Sequence, residues 1–448
     1  MYGIGAQSLW FDEAATVRIV RQDLPTMLAS IEDDERIPPL HYLILHAWVR
    51  VLGHAEWSVR LPSALAGIAS VFVLFLLTKR LFGVGAALIA ALLLAVAPYQ
   101  IEYAQEARAY TLVVLTSLLS CWMFVRLLDT EGAKPRLDAT YVLASVAALY
   151  SHLYAIFTLA AQAVAYALEW TRSDKPLLGV RRWVVTQVAI AALFLPWLPI
   201  AIRWARSVGS GFWVRPMTLY DLCAAYVAYA GGTGILIALL VLVVLGVIAE
   251  RRNRRGIALM LALATLPVVV PVIVSILTKP TFTPRYGIVA PAALYALAGC
   301  GVIALRYRIA QVVLTLALAA LSINGLRAIP DKPDWRGLVA YLQREARPGD
   351  YIVMNPHRST YVYDYYATRR GDTTRKGLDA GAIPLSLPLN PGVTVWFIYV
   401  PSEYSPDEVL RRGPWHVRST KRFTHLTVLE LDDDEASARG TQTSTTRP

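Results

Sequence analysis

Five stretches of this chain, residues 64–77, 86–97, 235–249, 257–277 and 309–323, contain no charged side chain. With their apolar flanks they approach the ~20 residues a helix needs to cross a ~30 Å hydrocarbon core. Ten segments qualify on this pattern: 59–79, 84–101, 109–128, 138–151, 153–170, 183–202, 233–250, 256–277, 286–304 and 309–327. The composition agrees, being 56% hydrophobic and 17% charged over 448 residues, where a soluble domain carries roughly 25% charge. The expected fold class is an α-helical polytopic membrane protein of about ten spans.

A net charge of +11 could point to nucleic acid, but its distribution points to a bilayer. The basic residues gather in short loops between apolar runs, at Lys79-Arg80, Lys134 and Arg136, Arg172 to Arg182, Arg251 to Arg255, and Arg306 and Arg308. That is the positive-inside pattern of cytoplasmic loops. Ten spans that begin outside also end outside. Parity therefore puts Asp12-Glu13, the "EYAQEARAY" turn, the 203–232 loop, the "KPTFTPRY" turn and everything beyond residue 328 on the extracytoplasmic face. The expected location is the bacterial plasma (inner) membrane, with no nucleic-acid partner.

Four regions follow. Residues 1–58 form a first extracytoplasmic loop. Within it, 23–35 reads as a short amphipathic helix with Asp23 as N-cap and Pro25 in the first turn, and 39–52 as an interfacial helix too short to cross. Residues 59–328 are the transmembrane domain. Residues 329–435 regain polar composition, with strand-like runs at 351–354, 393–400 and 425–431 and helical patterns at 335–346 and 406–412. The second of these helices opens on Ser405-Pro406-Asp407-Glu408, a capping-box signature. A small extracytoplasmic α/β domain fits, and the low-hydrophobicity tail 436–448 reads as disordered. Cys121, Cys223 and Cys300 read as small buried hydrophobes.

Ionisable groups at the extracytoplasmic ends of spans are the informative ones, because charge near hydrocarbon is costly. Asp12 and Glu13 follow Leu9, Trp10 and Phe11. Asp12 could cap a helix running through "EAATVRIV", with Glu13 favouring its dipole, or Asp12 could be a general base in a water-depleted cleft. Glu102 and Glu106 are four apart and could share a helical face, with Arg108 close behind. Lys279 and Arg285 flank two prolines, and a guanidinium at Arg285 could hold a phosphate bidentately. Tyr103, His41, His152 and Tyr286 are candidate contacts to a donor or acceptor. Asp12 and Glu35 are the candidates for a divalent cation, the one cofactor that these acids suggest. His41, His46 and His152 lack metal-ligand spacing, and no Walker loop, dinucleotide fingerprint or zinc motif is present.

In combination, several stretches resemble the GT-C glycosyltransferases, specifically the bacterial family-39-type, protein O-mannosyltransferase-like enzymes. They are "WFDEA" at 10–14, "PPLHYLILHAWVRVLG" at 38–53, "EWSVRLPSALAG" at 56–67, "YAQEARAYTL" at 103–112, "PRYGIVAPA" at 284–292 and "DWRGLVAYLQREARPGDYIV" at 334–353. The resemblance implies an inverting transfer of a sugar from a polyprenyl-phosphate donor to a hydroxyl of an acceptor protein, lipid or glycan. It puts Asp12, Glu13 and Glu106 in the catalytic set, with Asp12 of the acidic pair the base and Glu106 a second acid near the acceptor, and makes Arg285 the donor-phosphate contact, with Lys279 and Arg108 beside it. The family often has His-Pro-Pro-Leu-Tyr where this chain reads Ile37 to His41. Its members also open with a transmembrane helix before the acidic pair, which the few residues before Ser8 do not supply. Either the start lies upstream or that span is missing.

Two other classes compete. A lipid or small-solute transporter or flippase would place charge or helix breaks near mid-membrane in matched halves; Pro267 and Pro271 break one span, but no repeat accompanies them. A non-catalytic scaffold for the C-terminal domain leaves the acids and Arg285 without a role.

Overall fold

The computed structural model describes residues 3–35, 37–132, 134–171, 177–207, 217–278, 282–369, 377–379, 394–402, 405–407, 410 and 415–433. The chain divides into two compact units. One holds residues 23–53 and 59–329; the other holds 1–22, 54–58 and 330–448.

The larger unit is helical, and all ten expected apolar segments fall on helices. Six are long and apolar enough to cross a membrane: Glu56–Phe82, Tyr110–Leu128, Leu153–Trp170, Val180–Arg206, Arg254–Leu277 and Arg308–Ala328. Two more reach spanning length only as bent pairs, Val84–Val96 with Pro98–Ala104 at 58° and Leu219–Ala230 with Thr233–Ala249 at 89°. The remaining two, Pro135–Ser151 and Ala290–Ile303, are shorter, at 17 and 14 residues.

Both bends have local causes. Pro98 lacks the N–H needed to continue the first helix, and its ring drives Ala97 into the extended region, where Ala97 sits at φ −66° and ψ 118°. The second bend turns on Gly231 and Gly232, at φ +80° and +147°, values that L side chains resist. Residues 219–230, expected as loop, are thus helical. Thr218 starts that helix, with its N–H and hydroxyl both donating to the Asp221 carboxylate at 2.7 and 2.9 Å.

Ala290–Ile303 lies in the middle of the bundle, buried from Ala290 to Val302. Its small residues let neighbours approach to backbone contact. A Cβ at Gly299 would lie 2.6 Å from the Ala86 carbonyl oxygen, and one at Gly301 would overlap that of Leu242. Helices without a hydrophobic drive between them associate by such close packing. Elsewhere the apolar faces point outward: on Arg308–Gly325, Ile309, Val312, Val313, Leu316, Leu321 and Ile323 are exposed. Cys121 and Cys300 are buried as expected, whereas Cys223 is exposed.

Polar side chains tie three of the helices internally. The Tyr141 hydroxyl donates to Gln162 at 2.8 Å, Gln162 donates to Ser120 at 2.8 Å, and Ser120 meets Ser145 at 2.7 Å. At the end of the bundle carrying the basic loops, Asp129 accepts from both Arg80 and Arg255, and Arg182 pairs with Asp138 at 2.7 Å. The alternation of helices puts residues 98–110, 152–154 and 284–288 at the opposite end.

Before these helices, Asp23 caps Leu24–Ser30, accepting from the Thr26 N–H at 3.4 Å, and Leu40–Leu52 is a separate helix.

The second unit is α/β. Among the described residues its strands are β1 (Tyr351–Asn355), β2 (Gly377–Asp379), β3 (Val395–Tyr399), β4 (Trp415–Phe423) and β5 (Leu426–Asp433), in the order β2-β1-β3-β5-β4. β1 is parallel to β2 and β3, while β5 is antiparallel to β3 and β4. Val353, Val395, Phe397, Leu429 and Leu431 form its core. The three expected strands and the helix Trp335–Glu345 are present. Thr360–Arg369 is a helix that the sequence hides, since its four tyrosines and Val362 favour strand locally and burial of Val362, Tyr363, Tyr365 and Tyr366 overrides them. β4 escaped notice because Arg418, Lys421 and Arg422 make it a charged edge strand. The expected helix at 406–412 falls largely on residues outside those described, as does the tail 436–448.

Candidate active site

The bend at Pro98 creates the centre of the site. The short helix Pro98–Ala104 leaves its parent helix at 58° and carries Tyr99, Glu102 and Tyr103 onto the turn that holds Glu106 and Arg108. Because this helix stops at Ala104, Glu102 and Glu106 do not share one helical face. Glu106 is buried in the turn beyond it.

Around this turn the rings form a continuous series. Tyr229 meets Tyr99 at 5.0 Å, Tyr99 meets Tyr103 at 4.9 Å, and Tyr103 meets Tyr110 at 4.9 Å. Tyr110 faces His152 at 6.3 Å, and Tyr286 stands 5.0 Å from both His152 and Tyr154. Arg285 enters on the turn Pro284–Gly287 and sits 5.8 Å over the Tyr110 ring. Arg108 donates to the Tyr42 hydroxyl at 3.4 Å, and its own carbonyl accepts from Ser63 at 3.0 Å. The Tyr229 hydroxyl donates to the Pro284 carbonyl at 2.6 Å, which ties the 219–230 helix to the arginine turn.

The histidines are neutral here. Burial, then Arg108 and Arg285, push His152 down to about 3. Its Nδ1 accepts the Tyr154 N–H at 3.2 Å, so the proton of the neutral ring is on Nε2, a donor. Burial and Arg108 likewise push His41 down to about 4. His41 is bonded to the backbone of Ala107, and its Nε2 is buried with no hydrogen-bond partner. Thr283 Oγ1, beside the arginine turn, is a second buried polar atom without a partner. The membrane unit thus gathers Tyr103, Glu106, Arg108, His41, His152, Arg285 and Tyr286. Two guanidiniums and a neutral N–H donor among tyrosines can receive an anion at the edge of the bundle.

The acidic pair belongs to the other unit. Its helix runs Phe11–Val20 with Trp10 at the N-cap, so Asp12 is the second helical residue and not the cap. Asp12 is half-buried. Glu13 is fully buried, accepts the Trp10 N–H at 3.4 Å and pairs with Lys332 at 2.9 Å. That long-range ion pair could not be read from sequence.

Lys279 lies outside the described residues, as does the side chain of Glu35. Among the described residues no group of three His, Cys, Asp or Glu side chains could hold a metal ion. Sequence reasoning missed Tyr99, Tyr110, Tyr154 and Tyr229. The available signal was tyrosine density at the ends of the apolar runs, which is equally the mark of a membrane interface.

Comparison with known proteins supports the resemblance. Residues 36–200 match the family described as dolichyl-phosphate-mannose-protein mannosyltransferase. Two Bacillus subtilis (strain 168) proteins are similar: "Putative mannosyltransferase YycA", 31% identical over 170 residues, and "Putative mannosyltransferase YkcB", 37% identical over 89. These alignments cover 38% and 20% of this chain but 24% and 12% of the relatives' own lengths. Among solved structures, ArnT from Cupriavidus metallidurans bound to undecaprenyl phosphate matches at a TM-score of 0.58 and 13% identity. That match covers 96% of this chain and 95% of ArnT. The oligosaccharyltransferase AglB from Archaeoglobus fulgidus, in complex with an inhibitory peptide and a dolichol-phosphate, matches at 0.54 and 11%, covering 89% and 66%. By this likeness the chain shares its fold with ArnT along nearly its whole length.

Proposed function

We propose that this chain moves a sugar from a polyprenyl-phosphate donor to an acceptor hydroxyl, with inversion, on the extracytoplasmic face of the bacterial plasma membrane. The observation that carries this reading is the convergence of Arg285, Arg108 and the neutral Nε2–H of His152 at the end of the bundle opposite the basic loops. A polyprenyl phosphate is already a good leaving group, so the chemistry needs no acid there. It needs a base for the acceptor hydroxyl and positive charge for the departing phosphate. In this reading the Asp12 carboxylate takes the hydroxyl proton as the acceptor oxygen attacks the anomeric carbon. The bond from that carbon to the phosphate oxygen breaks, and the lipid phosphate leaves with the electron pair against Arg285. Glu106 and Tyr103 border the acceptor, and His41 supplies a hydrogen-bond acceptor to a sugar hydroxyl. Holding a lipid-borne sugar in one orientation contributes much of the remaining acceleration.

The fold is shared with ArnT, whose structure holds undecaprenyl phosphate, and the names of the curated relatives specify mannose. A mannosyl donor is therefore the first to try. The test is transfer to membrane acceptors from a panel of radiolabelled polyprenyl-phosphate sugars, with and without chelator, beside nucleotide sugars. Transfer from the lipid donors is expected; labelling from a nucleotide sugar alone would defeat the reading.

A further inference from the structure

The unit that carries Asp12 grips the chain on both sides of it. Before the helix, the Leu9 N–H donates to the Tyr366 hydroxyl at 2.8 Å, and the Arg336 N–H donates to Ser8 Oγ at 3.1 Å. Glu56 closes this network, accepting from the Arg336 guanidinium at 2.9 Å and from the Tyr366 hydroxyl at 3.3 Å. After Asp12 comes Glu13, whose carboxylate is fully buried and paired with the Lys332 ammonium at 2.9 Å. The same Glu13 oxygen accepts the Trp10 N–H, so one carboxylate couples the first turn of the helix to Lys332. Phe11, the other neighbour of Asp12, stacks on Tyr361 at 5.9 Å.

A carboxylate buried to this degree is stable only with its counter-charge in place. The helix start therefore has one low-energy position, set by where the α/β fold holds Lys332. Asp12, half-buried beside it, takes its position from that anchor. A general base displaced by about 1 Å can lose about 10²-fold in rate.

We propose that Lys332 is a positioning residue for the reaction: its ion pair with Glu13 fixes the turn that presents Asp12, so the C-terminal α/β unit takes part in turnover. This rests on Asp12 being the base. It gives the α/β unit a role that neither display of the domain nor acceptor capture requires.

The test compares Lys332→Met, Lys332→Arg and the double variant Glu13→Gln/Lys332→Met with wild type and Asp12→Asn. Each full-length protein is assayed for transfer from the radiolabelled lipid donor, and its melting temperature is read in parallel. Lys332→Met is expected to lose about 10–100-fold in kcat with KM for the donor within about twofold, and Lys332→Arg to recover most of it. The double variant removes both charges of the pair together, so it is expected to melt near wild type while kcat stays low. A purely architectural pair predicts the opposite, turnover that returns with stability. Wild-type kcat in the double variant, with Asp12→Asn inactive, overturns the positioning role alone. Normal turnover by Asp12→Asn, or no lipid-donor transfer by wild type, overturns the base assignment and this inference together.

Discussion

The guanidinium of Arg285 stands 5.8 Å over the ring of Tyr110, and the same ring faces His152 at 6.3 Å. Tyr110 thereby stands near both the cation and the neutral imidazole. The residues come from three different helix ends, at positions 110, 152 and 285. An anion entering this site would meet a fixed planar donor and would exchange part of the cation–π contact for two charge-assisted hydrogen bonds.

Arg285→Lys keeps the charge but loses the planar fork. Removing one preorganised donor at a developing anion typically costs about 10²–10³ in rate, and a loss of that order is expected for Arg285→Ala, with a smaller one for Arg285→Lys. Transfer assays at saturating donor check it, with melting temperature as the control for folding. Wild-type kcat in Arg285→Ala would remove the residue from the phosphate role.

Gly301→Val puts a branched side chain where the Leu242 backbone already lies. Overpacking of this kind costs about 1–3 kcal/mol or forces the helices apart. The variant is expected to melt well below wild type, or to elute as aggregate on fluorescence-detected size exclusion. Gly179→Ala, with open space around its Cβ position, is the control and is expected to behave as wild type.

Gln162→Leu leaves the Tyr141 hydroxyl and Ser120 without their shared partner. Interhelical hydrogen bonds in membranes are worth about 0.6 kcal/mol on average and up to about 1.7, so a modest drop in melting temperature is expected. Activity at permissive temperature should be retained, because the network lies away from the Arg285 site. Inactive but stably folded protein would contradict that division.

Acid should weaken the fold through His41 and His152. Both are held below 6.5 in the folded chain, at about 4 and about 3, by burial first and arginine second. The unfolded chain therefore binds their protons first as pH falls. Stability from this source is complete above 6.5 and is lost through the window down to about 4, at about 1.4 kcal/mol per pH unit for each group. Melting temperatures in detergent from pH 8 to pH 4 check the sign. His41→Gln is expected to flatten part of the slope, and an unchanged slope would sink the assignment.

Much of this protein was legible from local chemistry. The charge-free runs specified helices because apolar length is a one-dimensional property. Asp23 announced a helix start because a cap bonds three residues away. The strands of the α/β unit showed wherever both faces were buried, as in β1 and β3, and failed to show in the charged β4. Arg285 stood out because an arginine at the far end of a span from the basic loops needs a reason.

What the tertiary structure decided lies in contacts between distant residues. No local rule makes Glu13 the partner of Lys332, 319 residues away, or lets Tyr99, Tyr110, Tyr154 and Tyr229 emerge from a background of interfacial tyrosines. Nor does composition tell that the helix Ala290–Ile303 is buried from Ala290 to Val302. The sequence by itself determined a helical membrane protein with acids and an arginine set apart from its basic loops. Which of those charges is a structural ion pair and which joins a polar cluster was decided by packing, since burial sets the cost of a charge and only the folded chain sets burial.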